Sequence, residues 1–165
     1  MKVREMMTNE VYGCWPDSSL ASAAQIMWAK DCGALPVLGD DNSVVGMITD
    51  RDITIAITMT PRRPSEITVG EVMSKPVCAC GPEDHVKEAL NWMANAQVRR
   101  LPVIDQHGTL QGILSISDVM ACYWRSAGVE IPSVSCHDLV EAYGRINEPR
   151  PNAEDKRQVA MAAIA

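Results

Sequence analysis

The stretch GALPVLGDDNSVVGMITDRDI, residues 33–53, has a counterpart 66 positions later in RRLPVIDQHGTLQGILSISDV, residues 99–119. Both contain an apolar segment with a Pro, a polar turn, and a second apolar segment that ends at Thr or Ser. Extended outward at the same offset, residues 1–53 match residues 67–119 without a gap. Identical pairs include Val3 with Val69, Glu5 with Glu71, Pro16 with Pro82, Met27 with Met93, and Gly46 with Gly112. A match of this length indicates an internal repeat, and we call the two copies repeat one and repeat two.

Each repeat predicts the same order of elements, β-α-β-β-α, from the spacing of its apolar residues. The first strand covers residues 11–14 in repeat one and 77–80 in repeat two, and a Pro turn follows it. A helix comes next, in LASAAQIMWAK and VKEALNWMANA. The strands ALPVL and RLPVI then lead through hairpin turns to VVGMIT and LQGILS, and a last helix runs to about Met59 or Ser126.

The helix after the first strand has one apolar face in each repeat. Residues predicted to share this face are Leu20, Ala23, Ala24 and Met27 in repeat one, and Val86, Leu90 and Met93 in repeat two. Ser18 or Ser19 could cap the first of these helices, and Asp84 could cap the second.

One repeat has too few residues to bury a core alone, whereas two repeats related by pseudo-twofold symmetry can pack on each other. We therefore predict an α+β (mixed α/β) fold with repeats at residues 1–60 and 67–126 and a C-terminal helical extension at 127–165. Within the extension, SCHDLVEAYGRI (135–146) predicts one helix and residues 152–165 predict another. The latter is too short to be stable alone, so it could dock on its own module, on a second copy or on a partner.

The composition argues against several classes of protein. The net charge is −6 and the pI is near 5.0, which does not suit a groove for nucleic acid. The N-terminal segment is interrupted by charges and does not resemble a signal peptide. No stretch approaches the roughly 20 apolar residues of a membrane span. We therefore expect a cytoplasmic protein with no membrane partner and with reduced cysteines.

The Thr-x-x-Asp and Ser-x-x-Asp motifs at the end of the second hairpin strand admit two interpretations. In the first, Asp50 or Asp52, and Ser117 or Asp118, cap the helix that follows. In the second, Asp52 and Asp118 accept hydrogen bonds from the two hydroxyls of a ribose, and the helix start favours an anion. The two interpretations are compatible.

The repeat closely resembles the cystathionine-β-synthase (CBS) domain. The resemblance rests on GALPVLGD and RRLPVIDQ, and on GMITDRD and GILSISD, and it covers residues 1 to about 126. A tandem pair of such domains is called a Bateman module, and this chain looks like a small stand-alone bacterial pair. Pairs of this family typically bind adenosine-containing ligands such as AMP, ADP, ATP or S-adenosylmethionine in two clefts, and two modules commonly form a disc-like homodimer.

The resemblance also implies which residues line the two clefts. The cleft around Asp118 would include Ser115, Ser117, Thr8, Gly13, Cys32, Gly33 and Arg100. The cleft around Asp52 would include Thr49, Arg51, Ser74, Ala79, Val98 and Arg99. Arg100 matches a position that contacts phosphate in AMP-binding relatives, and its counterpart in repeat one is Ala34. We therefore expect the Asp118 cleft to prefer a phosphorylated ligand. Alternatively, Arg99 and Arg100 form a solvated strand end.

Other reactive residues give weaker signals. Cys14 and Cys80 occupy equivalent positions and read as small buried thiols rather than a redox pair. Cys78, Cys80 and His85 lack ordinary zinc spacing, and Cys136-His137-Asp138 does not form a catalytic cluster because adjacent helical residues diverge. We expect neither a metal site nor catalysis.

The sequence therefore predicts a regulatory sensor of adenosine-containing ligands that requires no cofactor and signals to an unidentified enzyme or transporter. The alternative is a protein-interaction or oligomerisation module with empty clefts.

Overall fold

The computed structural model describes residues 1–125 and 134–149. Its helices and strands are α1 (Leu20–Ala29), β1 (Ala34–Leu38), β2 (Val44–Thr49), α2 (Asp50–Met59), α3 (Val69–Val72), α4 (Val86–Ala96), β3 (Arg100–Ile104), β4 (Leu110–Ser115), α5 (Ile116–Arg125) and α6 (Cys136–Asn147). Short 3₁₀ turns lie at Val3–Glu5 and Pro64–Glu66. Helices and small antiparallel sheets together confirm the predicted α+β fold.

Both predicted hairpins are present. Strand β1 pairs antiparallel with β2, and β3 pairs antiparallel with β4 in the same register. The turns use equivalent left-handed positions, Asn42 with φ 60° and Gly108 with φ 81°. Asn and Gly are the residues that adopt this conformation at least cost, which explains the turn chemistry of GDDNS and DQHGT.

The prediction of a regular first strand in each repeat is wrong. Only one residue in each segment pairs, Cys14 with Val37 and Cys80 with Val103, in parallel bridges. In repeat one, Cys14 N–H donates to the Pro36 carbonyl, and Leu38 N–H donates to the Cys14 carbonyl. The next bonds in either direction would need an N–H from Pro16 or Pro36, and proline has none. Equivalent prolines at 82 and 102 stop the ladder of repeat two.

The predicted helix faces are confirmed. Leu20, Ala23 and Met27 of α1 are buried, and Ala24 packs partly buried against the same core cluster. Val86, Leu90 and Met93 are buried on α4.

Of the caps predicted for the first helix of each repeat, one is confirmed and one is wrong. The Ser19 hydroxyl caps α1 by accepting from Ser22 N–H at 3.1 Å. The predicted Asp84 cap does not form, because His85 is the N-cap of α4 and Asp84 Oδ2 accepts instead from Gly81 N–H at 2.6 Å.

The segment that precedes each repeat's first strand crosses to the other repeat. Val3 is fully buried in the core of repeat two, and its N–H donates to the Asp84 carbonyl at 2.9 Å. Val69 is fully buried in the core of repeat one, and its N–H donates to the Ser18 carbonyl at 2.8 Å. The hairpin tips also meet, since Val44 N–H donates to the Gly108 carbonyl at 3.0 Å. This exchange ties the two repeats into one unit.

Two buried glycines make the exchange possible. A Cβ on Gly112 would lie 2.8 Å from both the Thr8 carbonyl oxygen and Met7 Sδ, and a Cβ on Gly46 would clash with Met73 Sδ. Because real Cβ atoms do not approach other atoms so closely, a side chain at either position would force the crossing segment or its Met side chain to shift away from β2 or β4.

The predicted helix at residues 135–146 is confirmed as α6, and it covers repeat two alone. Its buried residues Leu139, Ala142 and Ile146 join the core around α4. On α4, Ala94 is 3% exposed, whereas its counterpart Trp28 on α1 is 90% exposed. The helix predicted at 152–165 lies outside the described residues. None of the described helices is long and apolar enough to cross a bilayer.

Candidate functional site

The two motif carboxylates lie in matching positions at the starts of α2 and α5. In repeat one, Asp52 Oδ2 accepts from Thr49 N–H at 3.0 Å and from Thr49 Oγ1–H at 2.7 Å. In repeat two, Asp118 Oδ2 accepts from Ser115 N–H at 2.8 Å and from Ser115 Oγ–H at 2.6 Å. Thr49 and Ser115 accept in return from the N–H of Asp52 and Asp118, each at 3.2 Å. Both motifs are therefore capping boxes, as the first interpretation predicted.

The same geometry leaves one oxygen of each carboxylate open. No described residue donates a hydrogen bond to Asp52 Oδ1 or Asp118 Oδ1. A carboxylate oxygen has two acceptor positions, so each Oδ1 can accept from a ligand hydroxyl without breaking the cap. The hydroxyl protons of Thr49 and Ser115, by contrast, are already engaged in the cap, so these hydroxyls could donate to a ligand only by giving up their bonds to the carboxylate.

A cation distinguishes the site of repeat two. Arg100 pairs across the sheet with Ser115, whereas the equivalent pair in repeat one is Ala34 with Thr49. Directly paired residues project from the same face of a sheet, so the Arg100 side chain lies on the face of Ser115. Arg100 is half-buried, and it makes no hydrogen bond or ion pair with any residue that the structure describes. Repeat two thus combines an available guanidinium with an available carboxylate oxygen.

The neighbouring Arg99 contacts the C-terminal helix. Its Nη2 donates to Asn147 Oδ1 of α6 at 2.8 Å, and its carbonyl accepts from Ile116 N–H at 3.0 Å, at the first residue of α5. Arg99 is exposed although it contacts α6, so the alternative of a solvated strand end remains open for this residue.

The segments that cross between repeats run beside the strands that lead to the two carboxylates. Thr8 exchanges both backbone hydrogen bonds with Ile113 of β4, at 2.9 and 3.0 Å. Ser74 does the same with Met47 of β2, at 2.8 and 3.1 Å. Thr8 thus lies beside the strand that leads to Asp118, and Ser74 beside the strand that leads to Asp52.

The loops that precede β1 and β3 make backbone contacts within their own repeat. The Gly33 carbonyl accepts from Asp50 N–H at 3.2 Å, and the Arg99 carbonyl accepts from Ile116 N–H at the start of α5. Cys32 and Val98 belong to the same two loops and donate to the last turns of α1 and α4. The short connection leads from each helix directly into the strand of the same repeat, so these contacts are local. The assignment of Gly33 and Cys32 to the Asp118 cleft, and of Arg99 and Val98 to the Asp52 cleft, stays a prediction.

The remaining predicted residues lie at the edges of these sites. Arg51 and Ser117 are exposed in the first turns of α2 and α5, and Arg51 borders an open depression of about 420 Å³. Gly13 lies close to Pro36 of β1, where a Cβ would be 3.1 Å from the Pro36 carbonyl oxygen. Ala79 lines a larger depression of about 570 Å³ that also includes Ile104, at the end of β3 away from Arg100.

The cysteines behave as buried thiols where the sequence predicted this. Cys14 and Cys80 are almost inaccessible, and burial raises the pKa of Cys14 to about 11 and that of Cys80 to about 12. Thiols with such pKa values are protonated at neutral pH and are poor nucleophiles. No group of three or more metal-ligating side chains occurs within residues 1–125 and 134–149.

The sequence did not reveal the link from α6 to the site. Gln97 Nε2 donates to the Glu148 carbonyl at 3.0 Å, and Asn147 Oδ1 accepts a hydrogen bond from the Arg99 guanidinium. The apolar spacing of 135–146 predicted a helix, but nothing in that spacing indicated which surface the helix would cover.

The family comparison agrees with the repeat. The profile described as "CBS domain" matches residues 3–58 and 69–125. Hypoxic response protein 1 of Mycobacterium tuberculosis is 34% identical over 139 residues, which span 84% of this chain and 96% of the relative. The CBS domain-containing protein YhcV of Bacillus subtilis is 33% identical over 139 residues, which span 83% of this chain and 97% of the relative.

Solved structures show the same fold. The crystal structure of Hypoxic Response Protein I with two coordinated zinc ions aligns with a TM-score of 0.67 and 36% identity, over 73% of this chain and 98% of that one. The CBS domain pair of protein MJ0100, in complex with 5-methylthioadenosine and S-adenosyl-L-methionine, aligns with a TM-score of 0.69 and 21% identity, over 76% and 98%. CBSX2 in complex with AMP aligns with a TM-score of 0.65 and 23% identity, over 76% and 98%.

Proposed function

Because the chain belongs to the CBS domain family and both of its repeats place an open carboxylate oxygen at a helix start, we propose that it is a non-catalytic sensor of adenosine-containing ligands. The site of repeat two, built around Asp118, Ser115 and Arg100, is the main ligand site and takes a phosphorylated compound such as AMP, ADP or ATP. The site of repeat one, around Asp52, binds more weakly or takes a less charged compound such as S-adenosylmethionine. Binding alters how the two repeats, or two copies of the chain, are arranged, and a partner enzyme or transporter responds.

The half-buried Arg100 opposite Ser115 carries this proposal. A guanidinium offers paired donors that suit phosphate, and it is most useful where no carboxylate of the protein already neutralises it. The start of α5 adds the positive end of a helix dipole close by. Repeat one has the helix start but has Ala34 in place of the cation.

The open oxygen of Asp118 supplies the contact for the sugar. A ribose diol presents two hydroxyl donors, and Asp118 Oδ1 has acceptor capacity for them while Oδ2 remains in the cap. This division lets one side chain hold the helix and the ligand together. That MJ0100 and CBSX2, which share the fold, bind adenosine compounds supports the proposal.

Exposed apolar side chains on matching helices support a homodimer. Ile55 and Met59 lie one turn apart on α2, and Met120 and Trp124 lie one turn apart on α5, with exposures from 45% to 85%. Such side chains seldom cluster on a monomer surface without a partner, so we propose that a second copy covers them.

The same surface is the observation that favours the alternative function. If the clefts stay empty, the exposed side chains of α2 and α5 would make the chain an interaction or oligomerisation module.

Calorimetric titration distinguishes the two functions. The wild-type protein is titrated with AMP, ADP, ATP, S-adenosylmethionine and adenosine, and AMP is repeated with Arg100→Ala. We expect AMP to bind more tightly than adenosine, and Arg100→Ala to lose about tenfold or more in AMP affinity while adenosine affinity stays within about twofold. Arg63→Ala removes an equal charge from the link between repeats and should leave both affinities unchanged.

Absence of binding by every adenosine compound would overturn the sensor and favour the interaction module. Equal losses for AMP and adenosine in Arg100→Ala would show that Arg100 maintains the fold rather than contacts phosphate.

A further inference from the structure

The loop between α4 and β3 is held by the end of α6. Gln97 Nε2 donates to the carbonyls of Glu148 and Arg145, at 3.0 and 3.4 Å, at the C-terminal end of the helix. Two residues later, Arg99 donates to Asn147. Arg145 in turn donates to Asn95 at the end of α4. The C-terminal turn of α6 is therefore attached to this loop through Gln97 and Arg99, and to the end of α4 through Asn95.

The same loop forms one wall of the ligand site proposed for repeat two. Arg100 follows Arg99 directly and pairs with Ser115. The Arg99 carbonyl bonds to Ile116 N–H, two residues before Asp118. Residues 97–100 thus connect the last turn of α6 to both the guanidinium and the helix start of the site.

We propose that α6 is the regulatory element of the Asp118 site, so that ligand binding and docking of α6 strengthen each other through residues 97–100. The inference rests on the proposed function. A phosphate held by Arg100 fixes a loop that also anchors α6, and the entropic cost of ordering that loop is then shared between the two events. Linkage requires the reciprocal effect, in which loss of the α6 anchors weakens ligand binding by the same factor.

Repeat one provides an internal reference for this arrangement. Its equivalent loop has the same left-handed position, Asp31 with φ 49° against Gln97 with φ 51°. No described helix covers that loop, and the nearby Trp28 is exposed. Coupling to α6 is therefore expected from the site of repeat two alone.

The far end of α6 allows docking to be changed without touching the site. Lys87 Nζ lies 2.9 Å from Asp138 Oδ1, at the first turn of α6 and far along the helix from Asn147. Lys87→Ala loosens the helix from that end and leaves residues 97–100 intact.

Hydrogen exchange of the full chain with and without AMP, combined with calorimetry, tests the coupling. In the wild type, AMP should slow amide exchange in α6 at least threefold. Asn147→Ala should weaken AMP binding about fivefold or more, and Lys87→Ala should weaken it in the same direction. Asp31→Gly, the repeat-one counterpart of the loop change Gln97→Gly, should leave both AMP affinity and α6 exchange unchanged, whereas Gln97→Gly should alter both.

Three results would overturn the inference. If AMP binds but leaves exchange in α6 unchanged, or if Asn147→Ala and Lys87→Ala bind AMP like the wild type, the helix is not coupled to the site. If the wild type binds no adenosine compound at all, the proposed function fails and the inference falls with it.

Discussion

The two repeats have the same motifs but different surroundings. In repeat one, α1 faces solvent at Trp28, and Ala34 lies across from the capping Thr49. In repeat two, α6 buries the equivalent Ala94, and Arg100 lies across from the capping Ser115. The shared residues build the hairpin and cap its helix, and the differing residues determine charge and coverage. Binding of an anionic ligand should therefore take place at the site of repeat two.

The largest expected effect comes from weakening the packing of α6 on repeat two. Leu139 is almost fully buried where α6 packs on repeat two, so Leu139→Ala should cost about 2–3 kcal/mol of unfolding free energy, at the low end for buried leucine because the site is near the surface. Urea denaturation measures this cost. Hydrogen exchange should rise in α4 and stay unchanged in α1.

The exposed Val140 on the same helix is the control, and Val140→Ala should change the unfolding free energy by less than about 0.5 kcal/mol. Equal increases of exchange in α1 and α4 would show that α6 supports the whole unit rather than one repeat.

The two glycines that lie against the crossing segments should differ in their tolerance of an added methyl group. In Gly112→Ala the new Cβ meets the backbone oxygen of Thr8, which cannot move alone, so the cost should reach about 2–3 kcal/mol. In Gly46→Ala it meets the flexible Met73 side chain, and the cost should be nearer about 1 kcal/mol. Denaturation of both variants checks the order, and a larger loss for Gly46→Ala would contradict the packing described here.

Acid should weaken the attachment of α6 to repeat two. Hydrogen bonds from Ser135 N–H and from Lys87 lower the pKa of Asp138 to about 2, from an ordinary value of 3.8. A lowered pKa in the folded state gives stability that is present above pH 3.8 and is lost as the pH falls towards 2. The stability difference between wild type and Asp138→Asn should therefore be largest above pH 4 and shrink between pH 4 and pH 2.

Thermal melting of both proteins across this range measures that difference. A difference that does not change with pH would mean that Asp138 acts through shape rather than charge.

The sequence predicted the fold well where local chemistry decides the structure. The turn residues Asn42 and Gly108 and the cap at Ser19 act within a few residues, so their patterns predicted what forms. The first strands failed because a parallel ladder depends on a distant partner, and the prolines at 36 and 102 lie on that partner.

The candidate site was predictable only in part for the same reason. The motifs indicated Asp52 and Asp118, and the repeat offset identified Arg100 against Ala34. The attachment of Arg99 to Asn147 spans 48 positions and depends on how α6 packs, which no local pattern encodes. Tertiary contacts of this kind also decide which loop residues meet which helix start.

The smallest expected effect is the loss of unfolding free energy when the motif carboxylate is replaced. This loss should be the same in both repeats. Asp52→Asn and Asp118→Asn keep the shape of the side chain and weaken an equivalent capping box, so each should cost less than about 1 kcal/mol. Denaturation of the pair tests this equality. A clearly larger loss for one variant would show that its carboxylate has a structural role that the other lacks.

Titration of AMP into these same two variants tests the central claim most directly, because their folding costs are matched. If repeat two holds the phosphorylated ligand, Asp118→Asn should lower AMP affinity at least about tenfold, since the ribose loses a charged acceptor, while Asp52→Asn should change it less than about twofold. Equal affinities for both variants and the wild type, or a larger loss in Asp52→Asn, would contradict the account.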